Sequence, residues 1–174
     1  SYRGGEIVSH ALRLAPLVFV RPGELRHAKW SDIDFESKQW RFPSSKTKQE
    51  HIVPLSKQAM AILKSIHRYT GQGLYVFPSP RVGERPMSEN AILAALRSLG
   101  IEKDQFTGHS FRSMARTMLD EQLNCAPHLI EHQLAHVVKD PLGRAYNRTK
   151  HIKQRTEMMQ AWSDYLEGLQ NEQK

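Results

Sequence analysis

Residues 107–146 bring together side chains able to do chemistry: His109, Arg112, His136 and Tyr146. His109 and Arg112 stand three apart, so a helix over 110–122, favoured by the run MARTMLDEQ, projects both from one face. Upstream lie Arg21, within RPGEL, and Lys46, within SKTK. These residue types suit attack on a phosphodiester. Its two non-bridging oxygens gather negative charge as a nucleophile approaches, and the guanidiniums of Arg21 and Arg112 offer planar, permanently charged forks for them. Tyr146 is an oxygen nucleophile that can form a covalent phosphotyrosyl link, conserving the bond energy without ATP. A free phenol ionises near pH ~10, so it needs a base or cations close by, which His109 and His136 can supply. The departing sugar oxygen needs a proton, and Lys46 on its connector can donate it. Glu24, one turn beyond Arg21, is spaced to hold that arginine as a buried partner.

The elements that must carry these residues follow from periodicity. Residues 6–19 have apolar positions at helical spacing around Ile7, Ala11, Leu14 and Ala15, with Pro16 expected to kink or divide the helix. Arg21-Pro22-Gly23 suits a turn into a short helix ending at Lys29, with Pro22 at its first position. Three short strands are expected at 31–35, 38–42 and 51–54, with Glu36-Ser37 as a hairpin turn and 43–50 as a basic, flexible connector bearing Lys46 and Lys48. Ser56 caps a helix that buries Ala59, Leu63 and Ile66 and stops before Gly71. Residues 71–87 are a surface loop around a buried YVF segment, and Ser88 caps a helix over 89–99 ended by Gly100. A last amphipathic helix, 150–169, carries Ile152, Met158, Met159, Trp162, Tyr165 and Leu166, whose pattern is that of a packing stripe. The order predicts an α+β domain, mainly helical, with a small three-stranded antiparallel sheet.

Composition bounds the function. The 174 residues suit one domain with a proper core. Lys and Arg number 25 against 18 Asp and Glu, a formal charge of +7 that points to a polyanionic partner. The single cysteine, Cys125, allows no internal disulfide and suits a reducing compartment. Without a long apolar run or a signal-peptide pattern, the expectation is a cytoplasmic protein with no membrane partner.

The ordered series of Arg21 in RPGEL, Lys46 in SKTK, His109 and Arg112 in GHSFR, His136 in LAH and Tyr146 in RAYNR resembles the catalytic set of the tyrosine recombinases, the phage-integrase family. LAPLVFVRPGELRHAKWSDID, YVFPSPR, TGHSFRSMA and AYNRT are especially similar to P4-like prophage integrases of enterobacteria. The resemblance covers nearly the whole chain. It implies a catalytic domain that cuts and rejoins DNA through a 3′-phosphotyrosine with a free 5′-hydroxyl, using no cofactor, neither metal nor ATP. Tyr146 would be the nucleophile, Arg21 and Arg112 the phosphate clamp, Lys46 the general acid, His109 the acid/base and His136 a phosphate-positioning group. Lys46 is preferred to Lys48 because it lies eight residues before Pro54, as the family's lysine commonly does before its strand-ending proline. Lys48 and Arg116 join Arg21, Lys46 and Arg112 as DNA contacts. The resemblance also implies double-stranded attachment sites as substrate, a homo-tetramer on DNA, accessory DNA-bending proteins and an excisionase, in a bacterial, nucleoid-associated setting. The chain would then be the C-terminal part of a longer integrase, 1–174 being the catalytic domain without core-binding and arm-binding domains. The final helix would pack in cis or dock on a neighbouring protomer.

Two other readings compete. His128-x-x-Glu131-His132 spells a pattern of some zinc peptidases, with i,i+4 histidines on one helix face. It leaves Arg21, Lys46, Arg112, His136 and Tyr146 unexplained. A non-catalytic DNA-binding remnant of an integrase would share the basic surface but lose nothing when Tyr146 became phenylalanine.

Overall fold

Apolar residues spaced three and four apart bury one side of the first helix, α1 (Glu6–Val18), where Ala11, Leu14, Ala15 and Val18 face the core. A computed structural model describes residues 4–136 and 151–172 of the chain. Contrary to expectation, Pro16 does not divide α1. It stands in the last turn, where a missing N–H removes a single helical bond, and Phe19 closes the helix in the left-handed region at φ 33°, its N–H on the Ala15 carbonyl at 2.9 Å.

The short helix α2 (Pro22–Arg26) begins where Pro22 suits it but stops before the predicted Lys29. A long-range pairing wins over continuing the helix: Val76 donates to the Ala28 carbonyl at 2.8 Å and Trp30 to Leu74 at 3.1 Å. The strand expected over 31–35 is correspondingly shorter. Trp30–Asp32 is a 3-10 turn, with the Trp30 and Phe35 rings stacked 6.2 Å apart, and only Ile33–Asp34 pairs as β1. The Asp34 carboxylate then shapes the hairpin by accepting from the Glu36 and Ser37 amides at 2.9 and 3.0 Å.

The sheet is antiparallel in the order β1, β2 (Gln39–Pro43), β3 (Glu50–Pro54), with Trp40 opposite Val53 and Phe42 opposite His51. Trp40 and Phe42 alternate inward while Arg41 and Pro43 face out, the period-two pattern of a sheet with one covered face. The connector between β2 and β3 closes on itself rather than forming an open arm. Ser44 donates to the Gln49 carbonyl and Lys48 to Ser44, each at 2.8 Å, with Lys48 left-handed at φ 57°.

Ser56 caps α3 (Lys57–Thr70) by accepting from the Ala59 amide at 3.2 Å, and Ala59, Leu63 and Ile66 are buried as expected. Val76 and Phe77 fill the core from the following loop. The helix α4 (Ala91–Ser98) starts later than predicted: the Ser88 hydroxyl accepts from the Asn90 amide at 3.3 Å, so it shapes the turn before the helix instead of capping it. Then come α5 (Ser110–Glu121), α6 (Pro127–Gln133) and α7 (Ile152–Glu172).

The Met and Trp stripe of α7 is core. Met158, Met159 and Trp162 pack on the same chain's α1, α3, α6 and β3, and the Trp162 indole N–H donates to the Pro16 carbonyl at 2.8 Å. Arg155 is 1% exposed, which periodicity does not foretell. Its guanidinium donates to Gln133 Oε1 from Nε and Nη2 at 3.1 and 2.8 Å and to the Ile52 carbonyl, joining α7 to α6 and β3. Among the described residues no helix is long and apolar enough to cross a membrane. The architecture is the mainly helical α+β arrangement expected.

Candidate active site

The site is a corner where the ends of several elements meet. Arg21 caps α2 in an extended conformation, and Glu24, three residues on, reaches back to take the Arg21 amide on Oε2 at 2.9 Å. Its other oxygen accepts from Arg21 Nη1 at 3.1 Å and from Ser45, at 3.0 Å from the amide and 2.8 Å from the hydroxyl. Burial alone would raise the Glu24 carboxyl, but these bonds and the Arg21 charge outweigh it and hold the carboxyl below its ordinary range. Arg21 also reaches Ser44 Oγ at 3.3 Å, so the roots of the β2–β3 connector are fastened to this corner.

The first turn of α5 is pressed against α2. A Cβ at Gly108 would stand 3.0 Å from Pro22 Cγ, so the GHSFR turn approaches this closely because it has a glycine there. Arg112 then spans the corner, Nη1 donating to the Phe19 carbonyl at 2.9 Å and Nη2 to Leu134 at 2.7 Å. The left-handed turn at Phe19 and the end of α6 leave these carbonyls without helical partners, so one guanidinium satisfies both. Burial, together with the nearby charge of Arg21, lowers the Arg112 pKa to about 10, which still leaves a cation at neutral pH.

His136 lies just beyond α6, after Ala135, which takes the left-handed conformation at φ 51°. Its Nε2 stands 3.5 Å from Arg112 Nη2 and its Nδ1 2.5 Å from Glu131 Oε2. Glu131 Oε1 takes Arg116 Nε at 2.7 Å. Burial would raise the Glu131 carboxyl, but the hydrogen bonds from His136 and Arg116 lower it below its ordinary value.

The structure thus brings Arg21, Glu24, Arg112 and His136 together. His109 is exposed at the start of α5, beside Gly108. Lys46 and Lys48 are exposed on the connector, Lys46 next to the anchored Ser45. Arg116 is 59% exposed and paired with Glu131. Tyr146 lies outside the described residues. Sequence reading missed Ser44, Ser45 and Glu131 as partners of these groups; the only local signal was a carboxylate five residues before His136.

The zinc pattern is not assembled. Glu131 is turned to Arg116 and His136, while the His128 and His132 rings lie 5.0 and 5.4 Å from that of His151. Among the described residues no group of three His, Cys, Asp or Glu side chains is placed to hold a metal ion.

A three-stranded sheet wrapped by helices, with two arginines converging from α2 and α5, is the catalytic-core fold of the tyrosine recombinases, and the chain superposes on the lambda integrase catalytic core with a TM-score of 0.60. That match has 25% identity over 81% of this chain and 85% of the other. The family model described as the phage integrase family matches residues 8–152, and the chain belongs to that family. It is 38% identical to the integrase of Enterobacteria phage P4 over 98% of this chain and 43% of the relative. A lambda integrase tetramer bound to a Holliday junction shares the fold at a TM-score of 0.59 and 22% identity, over 80% of this chain and 44% of that one. The chain spans less than half the length of the curated relatives it matches.

Proposed function

We propose that this chain is the catalytic domain of a site-specific DNA recombinase that integrates or excises a mobile element such as a prophage or genomic island. The observation that carries this reading is the convergence of Arg21 and Arg112, each held by named partners, on one corner beside His136. Glu24 offsets the charge of Arg21 while Arg112 is held by two neutral carbonyls, so the corner keeps a net positive charge, and a phosphodiester is an anion with two oxygens to share between the guanidiniums.

In this reading the Tyr146 oxygen attacks phosphorus and forms the 3′-phosphotyrosyl bond as the bond to the 5′-oxygen breaks. The tyrosine proton passes to His109, and Lys46 protonates the leaving 5′-oxygen. Arg21, Arg112 and His136 carry the charge that builds on the phosphate. Both lysines sit on a connector fastened to Arg21 and Glu24, and Lys46, eight residues before Pro54 as in the family pattern, is taken as the acid. Lys48 contacts the DNA backbone, and Arg116 does so at the edge of the site. Rejoining reverses these steps with a new 5′-hydroxyl, so the chemistry needs no high-energy cofactor.

The partners follow from the same reading: double-stranded attachment sites, a homo-tetramer on DNA for the full-length protein, accessory DNA-bending proteins and an excisionase, within the bacterial cytoplasm at the nucleoid. The preceding core-binding and arm-binding domains would complete the grip on DNA.

The test is a nicked suicide substrate bearing the cognate half-site, incubated in EDTA with the full-length integrase and with its Tyr146→Phe variant. A covalent protein–DNA band that survives denaturant and vanishes with Tyr146→Phe is expected. Retained DNA binding with no band from the wild type would instead mark a DNA-binding remnant.

A further inference from the structure

Glu131 is the residue around which the outer half of the site is organised, and no role in the reaction described above uses it. Its carboxylate is divided between two elements: Oε1 accepts from Arg116 Nε on α5 at 2.7 Å, and Oε2 lies 2.5 Å from His136 Nδ1. The main chain repeats the connection, since the His136 amide donates to the Glu131 carbonyl at 3.1 Å. His136 needs such a hold. Its side chain is 42% exposed and it follows the end of α6, so packing alone does not fix its ring.

The chemistry of the pair sets the direction of the ring. An ionised carboxylate only accepts, so the proton between Glu131 and His136 belongs to Nδ1. That places Nε2 on the opposite side, 3.5 Å from Arg112 Nη2, where it accepts from the guanidinium in the neutral ring and donates toward a phosphate oxygen once a second proton makes the ring an imidazolium. Arg112 and Arg116 are one helical turn apart on α5, so the same helix that presents the phosphate-clamping arginine also braces the carboxylate that turns the histidine.

We infer that Glu131 is a positioning residue: braced by Arg116, it fixes the His136 ring with Nδ1–H toward α6 and Nε2 beside Arg112, so that histidine and arginine face the same oxygen of the scissile phosphate. This rests on the recombinase reading and deepens it. The arrangement is that of a carboxylate orienting a functional imidazole through its far nitrogen, where loss of the orienting group leaves binding intact and slows the chemical step.

The experiment uses the full-length integrase and the suicide half-site, with the single-turnover cleavage rate at saturating DNA and the DNA Kd measured separately for wild type, Glu131→Ala, His136→Ala and the double variant. Glu131→Ala is expected to cut the cleavage rate about 10- to 100-fold with Kd changed less than about twofold. In the His136→Ala background the same substitution should matter less than about threefold, because two residues acting through one contact do not add. Glu131→Gln, whose amide oxygen still accepts from Nδ1, should recover part of the rate, and it serves as the test variant if Glu131→Ala melts early.

A readout independent of activity is the imidazole 15N spectrum of His136 in the 174-residue chain. It should report a ring protonated at Nδ1 in wild type and a redistribution of that proton between the two nitrogens in Glu131→Ala. Wild-type cleavage with Glu131→Ala within about twofold of it would overturn the inference and leave the recombinase reading standing, as would an equal loss in both backgrounds. No covalent complex from wild type on a validated site would overturn both.

Discussion

Replacing Glu24 with glutamine takes one negative charge from the Arg21 corner and changes little else in shape. Three donors converge on Oε1, from Arg21 Nη1 and from the Ser45 amide and hydroxyl, and a fourth, the Arg21 amide, meets Oε2. A glutamine oriented to keep the first three turns its NH2 onto the fourth, donor against donor. The three retained bonds drop from charge-assisted to neutral at about 1 kcal/mol each, and the stranded amide costs about 1–3 kcal/mol more. Relief of the buried charge offsets about half of this, leaving a net loss of about 2–3 kcal/mol. For a domain of this size that lowers Tm by about 5–10 °C.

The pH dependence follows from the depressed Glu24 carboxyl. Its contribution is fully present above the unfolded value, about 4.5, and is lost as pH falls through the lower folded value. Thermal melting of wild type and Glu24→Gln between about pH 7 and 3.5 should therefore show a gap that narrows on acidification. A gap below about 2 °C at neutral pH, or one that stays constant across the range, would refute the hydrogen-bond account.

Two further changes test the supports of the fold. Arg155→Ala strands Gln133 Oε1 and the Ile52 carbonyl and opens a cavity at a buried position, so a loss of about 2–4 kcal/mol is expected in urea unfolding. Ser56→Ala removes the cap on the Ala59 amide and the acceptor of the Ser163 hydroxyl at 2.7 Å, and should lower Tm by about 2–5 °C in calorimetry.

Local signals carried much of this. Ser56, the apolar spacing of α3, and the Pro22 and Glu24 offsets around Arg21 act within one or two helical turns, and α3 and the start of α2 stand where the sequence places them. The misreadings arise where distant segments compete with local preference. The 74–76 loop draws the chain out of α2 at Ala28, and Trp30 turns to pack on Phe35 and His67 instead of extending a strand. The same holds at the site. Arg21 and Glu24 were legible as a pair because they are three residues apart, whereas Arg116 and Glu131 are separated by 15 and meet only when α6 folds over α5. Arg155 carried no signal at all, since nothing local marks an arginine whose acceptors come from β3 and α6.

Arg112 has a bearing on how an inactive control should be built. Its guanidinium closes the ends of α1 and α6 through the Phe19 and Leu134 carbonyls, so the group that would hold the phosphate is also a joint of the scaffold. A geneticist who inactivates the protein at this codon obtains a lesion in which loss of chemistry and loss of folded protein are confounded, and a null phenotype there says nothing about which occurred. If the proposed recombinase reading holds, Tyr146→Phe, which removes a single oxygen, is the change for an allele meant to occupy DNA without cutting it.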